Sequence, residues 1–149
     1  MLVVHWTKHN RIGRVLKTGL APQTKKLWSG EMVRGIWVYP FIGNSNSDGT
    51  WRRILKPHRG GANMNGIVFR LCEADFPCFA GSCLDTHYQE PHTEIESQKE
   101  LNNLLGIRAS RSIPDAEWEY EIILLNRVSR KRFIKTLKDR DTLGAKRQP

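Results

Sequence analysis

The chain of 149 residues has no apolar run approaching the roughly 18 positions that a membrane-spanning helix needs. Its opening "MLVVHW" lacks both a basic lead and the apolar stretch of about 7 to 15 residues that marks a secretory leader. A soluble, cytoplasmic protein with no membrane partner is therefore expected. Cysteine is scarce and odd in number: Cys72, Cys78 and Cys83 suggest no disulfide framework. With His87 and His92 they fall at intervals unlike the C-x2-C pairs of common zinc modules, so free thiols are expected and no metal site. There is no Walker-type phosphate loop, internal repeat or low-complexity tract.

Acidic residues are also few, 15 against 24 Lys and Arg, and the net charge is +9. From Arg127 onward nine Lys/Arg face only Asp139 and Asp141, which concentrates the excess at the C-terminal end. Such a segment is a solvated helix face with a flexible end, or a surface for an anionic partner such as nucleic acid. The length suits one domain, placed at 1–137, with a basic, flexible tail at 138–149.

"LVVHW" reads as a buried strand, and "NRIGRVLKTGLAP" as a short helix with Asn10 at its N-cap and Gly19 at its stop. "RGIWVYPF" and "NGIVFRLC" read as strands, and Asp48 caps a short helix between them. In "PHTEIESQKELNNLLGI", Thr93 and Glu96 suggest a capping box for a helix that Gly106 closes. "SRKRFIKTL" has the apolar spacing of a short basic helix. Scattered short strands among helices predict an α+β fold, with small antiparallel or mixed sheets around one cleft.

"EWEYEIILL" carries the sharpest question. On a strand Glu117, Glu119 and Glu121 share one face, opposite Trp118, Tyr120 and Ile122. They are either the wet face of an edge strand or carboxylates aimed into a cleft. Glu121, next to the aliphatic run, is the best placed to be held rigidly.

"VVHWTKHNRIGRVLKTGLAP" resembles the first motif of the ADP-ribosyltransferase superfamily, a strand ending in His-x-Thr before an amphipathic helix ending in Gly-Leu. "GIWVYPF" looks like the family's second element and "EIILLNRVSRKRFI" like its third. The order is closest to the His-Tyr-Glu branch, which includes diphtheria-like toxins, poly-ADP-ribose polymerases and DNA-modifying toxin enzymes. The resemblance implies a split β-sheet with short flanking helices around a nicotinamide cleft, and NAD as substrate. It implies that His5 and Thr7 hold the adenosine ribose, that the backbone of Trp6 holds the carboxamide, and that Tyr39 stacks on the nicotinamide. Glu121 would bind the nicotinamide ribose, Glu119 would orient a macromolecular acceptor, protein or nucleic acid, and Trp51 would form a second wall of the pocket. His5, Tyr39 and Glu121 are then expected to converge on one cleft.

Such a set suits the chemistry, because breaking the bond to nicotinamide builds positive charge on the ribose that a fixed carboxylate stabilises. Two alternatives stand beside it. An RNA 2'-phosphotransferase-like enzyme of the same fold would use His9 and Arg11 as phosphate ligands. A non-enzymatic basic nucleic-acid-binding module, with or without zinc, would use the charged C-terminal segment.

Overall fold

A computed structural model describes residues 1–26, 30–41, 64–82, 92–110 and 120–138, with the backbone alone at 82, 106–110 and 120. Asp48, Trp51, Cys83, His87, Glu117, Trp118, Glu119 and the tail beyond 138 lie outside them.

The strands are β1 (Leu2–Lys8), β2 (Gln23–Lys26), β3 (Met32–Pro40), β4 (Met64–Arg70), β5 (Cys78–Ser82), β6 (Thr93–Ile95), β7 (Tyr120–Leu124) and β8 (Phe133–Lys138). The two α-helices are α1 (Ile12–Thr18) and α2 (Gln98–Ser110). The strands pair antiparallel in the order β6-β5-β7-β3-β1-β4-β8, with β2 added to β3. The fold is thus mixed α+β, dominated by antiparallel sheet.

Alternation along the strands builds two cores, one on each face of the sheet. Val3, Val38, Ile67, Phe69, Ile122 and Leu124 share the larger core with Leu101 and Leu105 of α2, and Ile12 and Val15 of α1 pack against it. Val4, Trp6, Tyr39, Met64 and Val68 form the smaller core on the other face. Each fully buried aliphatic side chain contributes roughly 1.5–3 kcal/mol.

The middle of the sheet is not evenly stitched. β1 pairs with β4 from Leu2 to Lys8, but with β3 only at Val3↔Pro40 and Val4↔Tyr39. The first part of β3 pairs instead with β2 and β7. Beyond Val4 the two central strands diverge, and the gap is spanned by a side chain, with His5 Nδ1 2.7 Å from the Trp37 carbonyl oxygen.

Gly19 ends α1 with φ at +82°, a conformation that glycine adopts freely. A Cβ there would also lie 2.5 Å from the Val128 carbonyl oxygen, and this close approach lets Leu20 bridge to Val128.

Three local expectations are corrected. Asn10 does not cap α1: it lies inside a 3-10 turn, His9–Arg11, and the N-cap is Arg11 with no side-chain bond. Thr93 and Glu96 do not cap α2, because Thr93–Ile95 pairs with β5; the Ser97 hydroxyl instead accepts from the Glu100 N–H. The helix then passes Gly106 and continues to Ser110.

The basic segment "SRKRFIKTL" is a 3-10 turn, Arg130–Arg132, followed by edge strand β8. Its register on β4 shifts between Val68 and Phe69, so Phe133 packs against the larger core and Leu137 against the smaller. In a regular strand, residues four apart would share a face. The bulge puts the two on opposite faces instead.

Candidate functional site

Glu121 stands near the start of β7 and is 6% exposed. Val38 and Ile122 are register partners, which puts Tyr39 across from Glu121 on the face of the smaller core. The Tyr39 hydroxyl donates to Glu121 Oε2 at 3.4 Å. On the other side of the carboxylate, His92 Nε2 lies 3.1 Å from Oε1. Both partners of this pair are nearly enclosed, with side-chain exposures of 10% and 9%. A carboxylate removed from water at this depth needs donors on its oxygens. The described residues provide one to each.

His92 is therefore the member of the site that sequence reasoning missed. Its position just before β6 carries no local signal. Only the pairing of β6 with β5, and of β5 with β7, brings residue 92 to residue 121.

His5 does not join this group. It alternates with Val4 and Trp6 along β1 and faces the side of α1, whereas Tyr39 and Glu121 face the smaller core. The expected convergence of His5, Tyr39 and Glu121 on one cleft is thus contradicted: there are two separate constellations, Glu121 with Tyr39 and His92 on one face, and another that includes His5. The second is a cleft of about 580 Å³ along the gap between β1 and β3. Consecutive residues line it on both strands, His5 to Lys8 and Gly35 to Trp37, so it follows the strand edges rather than one face. His5, Trp6 and Thr7 all border it. Trp37 also borders it and lies two positions along β3 from Tyr39.

Trp6 borders the cleft, but its ring is turned to the other face of the sheet. It belongs to the smaller core and lies against Gly66 of β4, where an added Cβ would approach the ring to 3.0 Å. A glycine on the adjacent strand thus provides the space that a tryptophan at position 6 requires.

The charged side chains of the lining are all cationic, Lys8, Arg11, Arg14, Lys25 and Arg127, with no carboxylate among the described residues. Lys25 Nζ lies 5.3 Å from the Trp37 ring centre. His9 stands outside the cleft, its Nδ1 2.9 Å from Asn65 Oδ1. A space of this size, with cations and a histidine at its border, suits a ligand that carries phosphate.

Among the described residues no group of three His, Cys, Asp or Glu side chains could hold a metal ion. Cys72 is exposed and Cys78 buried, both as free thiols. Burial, with smaller contributions from Asp75 and Glu100, pushes the Cys78 thiol up to about 12. No described helix is long and apolar enough to cross a membrane.

Comparison with protein-family models, curated proteins and solved structures finds no match to this chain.

Proposed function

We propose that the chain is an NAD-dependent ADP-ribosyltransferase that transfers ADP-ribose to a macromolecular acceptor with release of nicotinamide. The observation carrying this reading is the enclosed Glu121 carboxylate held by Tyr39 and His92; the cationic cleft at the gap between β1 and β3 belongs to the same sheet, but neither Glu121 nor Tyr39 lines it. The opposed facing of His5 and Glu121 counts against the cleft that the resemblance implies, and the reading requires a ligand that lies in the gap between strands and meets side chains from both faces.

In this reading the dinucleotide runs along the gap. His5 and Thr7 hold the adenosine ribose and the cations face the pyrophosphate. The nicotinamide ribose reaches toward Tyr39 and Glu121. As the bond to nicotinamide breaks, its electrons leave with the ring and the ribose gains positive charge, which the carboxylate stabilises. An acceptor nucleophile then attacks the ribose carbon. Glu119 orients that acceptor and Trp51 walls the pocket in the same reading.

Incubation with NAD labelled in its adenylate part and a cell extract tests this directly. Labelled protein or nucleic acid is expected, with one free nicotinamide for each transfer. No labelled polymer and no nicotinamide release would remove the proposal.

A second reading has one observation of its own. Arg11 borders the cleft, as an RNA 2'-phosphotransferase-like enzyme of the same fold would require, whereas its other expected phosphate ligand, His9, is bonded to Asn65 outside it. It predicts that NAD is consumed only when RNA bearing an internal 2'-phosphate is present. The buried Glu121 site favours the first reading.

A further inference from the structure

Charge in this chain is segregated by segment. Residues 1–30 contain six Lys/Arg, residues 122–138 contain six more, and neither segment has an Asp or Glu. The fold puts the two together: Leu20 bridges to Val128, and Arg127 Nη2 donates to the Thr18 carbonyl at 3.1 Å. The result is a ridge with Arg11, Arg14 and Lys17 on one side and Arg127, Arg130 and Lys131 on the other, all exposed.

Arg11, Arg14 and Lys17 recur every three residues, so they follow one another along one side of the helix at about 4.5 Å per step. Among the described residues, Lys8, Arg11, Arg14, Lys17, Arg130 and Lys131 make no ion pair. Arg132 is different, because it is engaged by buried Asp75. Arg11, Arg14 and Arg127 belong both to the ridge and to the cleft lining, so the ridge leads into the cleft.

Unpaired like charges held side by side repel, and that cost is relieved when a polyanion covers them. We infer that this ridge is a docking surface for the phosphate backbone of a single-stranded nucleic acid, directed toward the cleft at its edge. A single strand is favoured because a cleft of about 580 Å³ could admit one or two nucleotides but not a duplex. This deepens the ADP-ribosyl-transfer reading by naming the acceptor class, although the binding itself needs no NAD.

The test is fluorescence anisotropy of the full chain with a short labelled single-stranded oligonucleotide, without NAD, across a salt series. Binding is expected to weaken as salt rises. Arg14→Ala with Arg130→Ala should weaken it about tenfold at low salt and reduce the slope of log K against log salt by about 1.4, that is about 0.7 for each phosphate no longer neutralised. Lys99→Ala, on α2 and outside both segments, should leave binding unchanged. Equal binding by the double variant would overturn the inference. So would displacement of the oligonucleotide by poly-glutamate or phosphatidylserine vesicles at matched charge, because either would mark a general anion patch. Oligonucleotide binding here, with no nicotinamide released when NAD is added in a separate assay, would remove the enzymatic reading and leave the docking surface in place.

Discussion

The Tyr39 hydroxyl meets Glu121 Oε2 at 3.4 Å, joining two residues 82 positions apart. The next pair along the ladder, Val38 and Ile122, are both fully buried and fix the two strands. The carboxylate is therefore anchored by the core beneath it, and its two oxygens face different donors, Tyr39 and His92.

These donors should be unequal. A bond of 3.4 Å is long for a hydroxyl donating to a carboxylate, so Tyr39→Phe, which keeps the ring, is expected to slow nicotinamide release less than about tenfold. A larger loss, measured in the same assay at saturating NAD, would mean that the hydroxyl takes part in the chemistry.

His92 should matter more. Its Nε2 is 3.1 Å from Oε1 of Glu121 in an enclosed setting, where removing one partner leaves the other poorly satisfied. His92→Ala is expected to lower kcat about 10- to 100-fold with little change in KM. His92→Gln, which offers an amide donor, should recover part of it. Equal loss in both variants, without a change in melting temperature, would argue against a positioning role.

Arg132 gives a prediction about stability alone. It donates to both oxygens of Asp75, at 2.8 and 2.5 Å, and to the Arg70 carbonyl at 2.7 Å, tying the turn before β8 to β4 and to the Glu73–Asp75 turn. Asp75 is 2% exposed and also accepts from the Cys72 N–H. Arg132→Ala should destabilise the chain by about 3 kcal/mol, because it leaves a buried carboxylate without its cation. Urea unfolding measures this, and a loss below about 1 kcal/mol would contradict it.

The two described thiols should differ sharply in reactivity. With its thiol raised to about 12, Cys78 is expected to resist alkylation at pH 8 in the folded chain, where only about one in 10⁴ would be thiolate. Exposed Cys72 is expected to react. Peptide mass mapping after brief labelling checks this; modification of Cys78 before unfolding would contradict its burial.

Much of the fold was readable where one local rule dominated. β1, β3 and β4 follow from compact β-branched and aromatic runs, and the end of α1 follows from Gly19. β8 reads as a helix because Phe133, Ile134 and Leu137 have apolar spacing that suits one, and the long-range pairing with β4 overrides it. The start of α2 was misread because Thr93, a plausible cap, is used by a strand pair that no local pattern announces. At the site, Glu121 and Tyr39 were legible as a carboxylate at the mouth of an aliphatic strand and an aromatic on its neighbour. His92 was not, because its place depends on two successive long-range pairings. The facing of His5 follows from its parity relative to Trp6, combined with a register that the sequence alone does not supply.

The most direct measurement is nicotinamide release from NAD by the unmodified chain and by Glu121→Gln, with NAD affinity determined alongside. Glutamine keeps the shape and the contact with Tyr39 while removing the charge, so release should fall by a factor on the order of 100 or more, the scale of losing one preorganised electrostatic group. Affinity for NAD should change little, because the charge acts on the ribose cation as it develops. If Glu121→Gln releases nicotinamide as fast as the unmodified chain, or if neither releases any, Glu121 is a structural carboxylate and the enzymatic account is contradicted.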